Sequence, residues 1–128
     1  MAYLSPEVFA STEPLLLAGS RCLDCDHVQF PAGKNCPSCA SNECRRFALP
    51  DRGVVWTWTV QRFAPKPPYI VADGDFVPFA VGYVDLDCVL VESVLLGPIA
   101  ELSIGQPVHL VSHRLSGSGD ERSYAFSA

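Results

Sequence analysis

Four cysteines in two matched pairs constrain this chain more than any other feature. Cys22-Leu-Asp-Cys25 is followed by ten residues and then by Cys36-Pro-Ser-Cys39. A two-residue gap inside a tight turn lets both thiolates of a pair face one ion. Two such knuckles facing each other complete a tetrahedral site with Zn–S distances of about 2.3 Å. The first cationic side chain is Arg21, so the basic region of an export signal is missing and the chain reads as cytoplasmic. Thiols there stay reduced, which argues against disulfides and for one Zn2+ per chain. With all four positions taken by Cys22, Cys25, Cys36 and Cys39, none is left for water or substrate, so the ion is structural. Iron in a rubredoxin-like site is the competing reading. Rubredoxin-like knuckles favour a glycine directly after each second cysteine, and here those positions hold Asp26 and Ala40.

The other two cysteines lack a partner at ligand spacing. Cys44 reads as a spare ligand at most and Cys88 as a small core residue; neither has a nearby histidine to act as a base. His27, beside the first knuckle, reads as a surface residue. His109 and His113 fall in a segment that reads as a strand, where they stand about 13 Å apart and cannot share an ion.

Composition narrows the class. Of 128 residues, 48% are hydrophobic and 18% charged, which describes a globular chain and not a disordered one. No apolar run approaches the roughly 18 residues of a membrane span. The formal net charge is −5 and the pI about 5.0. From Ala48 onward five basic residues stand against nine acidic ones, a net of −4. A nucleic-acid partner is disfavoured, since such binders carry a basic stripe.

The chain divides near Leu49-Pro50 into an N-terminal segment (1–14), a cysteine module (15–48) and a β domain (49–128). A helical turn is expected around Pro6–Ser11, and short strands at Leu15–Arg21 and Arg45–Leu49. Beyond residue 50 helical periodicity is missing, and strands alternate with Gly, Pro and Asp turns. In Val54-Val55-Trp56-Thr57-Trp58-Thr59-Val60, strict alternation places Val54, Trp56, Trp58 and Val60 on one core-facing side. Further strands are expected at Phe79–Leu86, Val89–Leu96, Pro107–Leu115 and Arg122–Phe126. The fold class is therefore mainly β: a rubredoxin-like zinc ribbon followed by a five-stranded, antiparallel OB-fold barrel.

Two strands, Phe79–Leu86 and Val89–Leu96, are apolar on both sides. A free barrel needs one apolar face, so the surplus points to burial against the ribbon and a protein partner. The connection from Ala64 to Pro78 holds four prolines, a stiff frame that lowers the entropy lost on docking. Trp58, Arg62, Phe63, Lys66, Pro67, Pro68 and Tyr69 are the candidate residues for a partner interface. Arg62 and Lys66, flanking Phe63, are placed to meet phosphates.

These features together resemble a known family. The CxxC-x10-CxxC ribbon, Phe30-Pro31 between the knuckles, Gly53–Val60, the proline-rich loop, Phe79–Leu86 and Ile104-Gly105-Gln106-Pro107-Val108 are similar to the zinc-ribbon/OB-fold proteins that accompany acyl-CoA thiolases and lipid-transfer-protein-like thiolases or aldolases. The resemblance spans about residues 15–115. It departs at the N-terminal segment, where the family often has an aromatic pair and a glycine. It departs again at Leu86-Asp87-Cys88-Val89-Leu90, which lacks the family's Asp-Glu-Gly turn and following arginine.

The resemblance implies a non-catalytic accessory subunit in a hetero-oligomer. Its thiolase-like partner would supply the catalytic residues, and the barrel would stabilise it or shape its acyl-CoA path. No nucleophile and base, and no convergent carboxylates, can be assembled from the sequence, which agrees with that expectation. The alternatives are a single-stranded nucleic-acid-binding module and a stand-alone CoA- or acyl-binding protein.

Overall fold

The computed structural model describes residues 2–3, 6–62, 78–114 and 121–128. Among them every regular element is a strand or one of two short 3-10 turns, Pro6–Val8 and Ile99–Glu101. The strands are β1 (Ala2–Tyr3), β2 (Phe9–Thr12), β3 (Leu15–Cys22), β4 (Val28–Gln29), β5 (Cys44–Ala48), β6 (Arg52–Gln61), β7 (Phe79–Asp85), β8 (Leu90–Leu96), β9 (Pro107–Arg114) and β10 (Glu121–Ser127). No helix among the described residues is long and apolar enough to cross a membrane.

The expected helical turn is shorter than the sequence implied. A 3-10 turn covers Pro6–Val8, and from Phe9 the chain is already a strand. Phe9 pairs with Leu17 on β3 and is buried, so packing decides the local conformation. β3 is the centre of the ribbon sheet, with β2 antiparallel at its start and β4 and β5 along its second half.

The second part closes into a barrel. β6, β7 and β8 form an antiparallel meander. β9 returns to the free side of β6, and β10 lies antiparallel to β9. The ring closes where β10 meets β8 through Phe126↔Leu95 and Ser127↔Leu96, and this pair is parallel. The expectation of purely antiparallel strands fails here for a geometric reason. Directions cannot alternate all the way round a ring with an odd number of strands, so one junction must be parallel.

A second difference lies in β6. The pairing runs Val54↔Asp85 and Val55↔Val84, then jumps to Thr57↔Tyr83, leaving Trp56 in a bulge. One extra residue reverses which side chains face inward. Val55 is therefore 1% exposed while Trp56 is 53% exposed, contrary to the core position expected for Trp56. Val54 is also exposed, and Trp58, beyond the bulge, packs on the core as expected. The neighbouring loop holds the bulge: Val55 N–H donates to the Gln106 carbonyl at 3.0 Å, and Gly105 N–H donates to the Val55 carbonyl at 2.7 Å. Opposite Trp58 stands Gly82, where a Cβ would collide with the Thr57 carbonyl oxygen and lie 2.9 Å from the Trp58 Cα. The strand crossing needs a residue without a side chain at that point.

Ribbon and barrel share one core. Phe9, Leu17 and Leu49 from the ribbon side join Val55, Val84, Val91, Leu95 and Phe126 of the barrel. Tyr124 on β10 is the joint. Phe9 and Phe30 meet its ring edge-on, with centroids 6.3 Å and 5.9 Å away. Its hydroxyl donates to the Glu92 carbonyl on β8 at 2.8 Å. The β8–β10 ladder is only two pairs long, and this bond satisfies a carbonyl beyond its end. Burial, with a smaller contribution from the Glu92 carboxylate, pushes the Tyr124 phenol up to about 12.

Candidate metal centre

The two knuckles are built alike. Cys22 N–H donates to the His27 carbonyl and Asp26 N–H to the Cys22 carbonyl. In the second, Cys36 N–H donates to Ser41 and Ala40 N–H to Cys36, all at 2.8–3.0 Å. Each loop closes through a residue with positive φ, Asp26 at 64° and Ala40 at 63°. These are the positions where rubredoxin-like knuckles prefer glycine, so that preference answers a backbone demand. The missing glycines therefore do not bear on which metal is held. Alanine in this conformation costs roughly 1–2 kcal/mol, while aspartate tolerates it better.

The knuckles are also braced to each other and to the sheet. The Ser41 hydroxyl donates to the Asp24 carboxylate, and Leu23 N–H donates to the Glu43 carbonyl at 2.8 Å. The Arg21 guanidinium lies 5.6 Å above the Phe47 ring and donates to the Asp26 carbonyl at 3.4 Å.

This frame brings Cys22, Cys25, Cys36 and Cys39 together, with all four sulfurs within 4.8 Å of one another. The Cys22–Cys39 and Cys25–Cys36 sulfurs are each 3.6 Å apart. Tetrahedral geometry with Zn–S bonds of about 2.3 Å requires sulfurs about 3.8 Å apart, so the cluster suits one zinc ion. A disulfide, at about 2.05 Å, does not describe it.

The electrostatics agree. Burial pushes the Cys22 thiol up, but the N–H groups of Cys25 and Asp24 and the neighbouring thiols outweigh it, bringing the group down to about 6. At Cys39 the Ser41 N–H favours the thiolate, yet the Cys25 and Cys22 sulfurs prevail and push it up to about 12. Cys25 is also raised: burial and the Cys36 and Cys22 sulfurs overcome the His27 N–H. Four thiolates this close repel one another, and a complete set needs a cation among them. With four sulfur ligands and no open position, the ion would hold the fold and perform no chemistry.

Cys44 pairs with Cys22 across the ribbon sheet but is not one of the four clustered sulfurs; burial and the charges of Cys22 and Cys36 raise its thiol. Cys88 is half-buried against the barrel core. His27 is exposed, and His109 and His113 are half-buried.

Of the other candidate residues, Trp58 is half-buried and Arg62 exposed. Phe63, Lys66, Pro67, Pro68 and Tyr69 lie outside the described residues. Sequence reasoning missed a different feature. Val54, Trp56, Tyr83, Leu90 and Ile104 are exposed, and the outer side of β6–β8 presents the first four. Trp56 and Tyr83 meet edge-on with centroids 6.3 Å apart. Gly82, a glycine in the middle of a strand, was the available signal for the bulge that turns Trp56 outward.

Two family models match the chain. The family model described as ChsH2, rubredoxin-like zinc ribbon domain, matches residues 17–43. The model described as ChsH2, C-terminal OB-fold domain, matches residues 47–113. No curated protein matches the chain. Among solved structures, one described as "Ltp2-ChsH2(DUF35) aldolase" aligns with a TM-score of 0.67 and 24% identity, covering 94% of this chain and 90% of that one. At that identity the likeness speaks for the fold. The two family matches together span the metal cluster and most of the barrel, and the chain belongs to the ChsH2 family of zinc-ribbon and OB-fold proteins.

Proposed function

We propose that this protein is a non-catalytic accessory subunit that binds a thiolase-like acyl-CoA enzyme, stabilises it and helps shape its acyl-CoA path. The observation that carries this reading is the ChsH2 ribbon and barrel in one chain, matching nearly end to end a chain of the Ltp2-ChsH2(DUF35) aldolase. The closed cysteine cluster supports it, because a four-sulfur site leaves no position for substrate. Catalysis would belong to the partner. Trp58, Arg62, Phe63, Lys66, Pro67, Pro68 and Tyr69 remain our candidates for the partner contact or acyl-CoA path, with Arg62 and Lys66 toward CoA phosphates.

Co-expression with a thiolase-like acyl-CoA enzyme from the same cells tests the reading. The enzyme should be soluble and active with this chain and lose most of both without it. An enzyme equally soluble and active alone would overturn the proposal. Calorimetry with CoA separates the stand-alone binder, which should bind CoA without the enzyme.

A further inference from the structure

The barrel presents a sheet face that the ribbon leaves open. Five of the six exposed large hydrophobic side chains among the described residues belong to the barrel: Val54, Trp56, Tyr83, Leu90 and Ile104. Strand register brings four of them together. Trp56 bulges beside Tyr83, and Asp85 links Val54 to Leu90 across β7. Ile104, 73% exposed, precedes the glycine whose N–H bonds Val55 and so sits at the same bulge. The ribbon packs elsewhere, against Tyr124 on β10.

The charges around this face are mostly of one sign. Glu92 stands opposite Tyr83 and accepts its hydroxyl at 3.2 Å. Asp85 lies two pairs along, opposite Leu90, and Asp87 caps the hairpin, where its N–H donates to the Asp85 carboxylate at 2.7 Å. Among the described residues Arg52, at the start of β6, brings a cation beside Val54, Asp85 and Asp87. Two aromatic rings beside a carboxylate form a receptor for a guanidinium or ammonium group. The same carboxylates repel phosphate, which disfavours nucleic acid despite the exposed rings. They also repel a second copy carrying the same rim.

We propose that the outer face of β6–β8, centred on Trp56 and Tyr83, docks a protein surface with an apolar centre and a basic rim, one of whose Arg or Lys side chains seats against Tyr83 and Glu92. This rests on the accessory-subunit reading and names the surface of the thiolase-like partner that the chain recognises. Rigid aromatic anchors beside a satisfied charge are what concentrate binding energy in interfaces.

The test measures binding of the full-length, zinc-loaded chain to the co-expressed thiolase-like enzyme. Trp56→Ala should weaken it by about tenfold or more. Glu92→Gln should weaken it by roughly threefold and flatten its dependence on salt. Leu23→Asp, on the far knuckle, should leave it unchanged, and zinc content should stay the same in all three. A wild-type chain that binds while Trp56→Ala and Glu92→Gln bind equally well overturns the surface and leaves the accessory role standing. A wild-type chain that binds no such enzyme overturns both, whereas self-association or capture of single-stranded DNA through this face overturns the surface alone.

Discussion

The ribbon and the barrel reach order by opposite means. Between Cys22 and Cys44 the only buried residues are Cys22 and Cys36, so the knuckles have almost no apolar core. The barrel has Val55, Val84, Val91, Leu95 and Phe126 packed at its centre. A metal site substitutes for a core where too few residues exist to build one. The two solutions meet at Tyr124, which both halves contact.

The largest expected effect comes from breaking the ribbon. Cys22→Ser should abolish zinc retention and remove stabilisation on the order of 10–16 kcal/mol, the scale of zinc-finger peptides. Hydrogen exchange should then show lost protection in β3–β5 with β6–β8 largely retained. Equal loss in both would mean the two halves are one cooperative unit.

Breaking the barrel should matter next. Phe126 is fully buried, and Phe126→Ala should cost about 3–5 kcal/mol in denaturant unfolding while zinc stays bound. A smaller change sharpens the joint. Tyr124→Phe removes the bond to the Glu92 carbonyl and should cost about 1 kcal/mol at neutral pH.

That variant also has a pH signature. The folded phenol is held up to about 12, above the unfolded value of about 10. Between those values the folded state holds more protons, so stability falls as pH rises. Below pH 10 the contribution is fully present. The phenylalanine variant should lose less stability than wild type over that window, read by unfolding at each pH. The smallest effect is expected at the second knuckle. Ala40→Gly relieves a positive φ and should stabilise the zinc-loaded chain by about 0.5 kcal/mol, the strain relief less the entropy of glycine.

The ribbon was legible in sequence because its spacing encodes geometry directly: two residues between thiols produce a knuckle, and two knuckles produce a site. Most strands of the barrel were legible from alternation. Alternation failed at β6, because the bulge at Trp56 depends on the Gly105–Gln106 loop, nearly fifty residues away in the chain. The parallel β8–β10 junction was likewise hidden, since it follows from ring closure and not from either strand's composition. The proposed docking face depends on the bulge and could be seen only once Trp56 had turned outward.

The most direct test of the account is purification of the tagged full-length chain from its native cells, with mass spectrometry and metal analysis of the eluate. The account predicts a thiolase-like enzyme in near-stoichiometric amount and one zinc per chain. A zinc-loaded chain recovered without such an enzyme would contradict it.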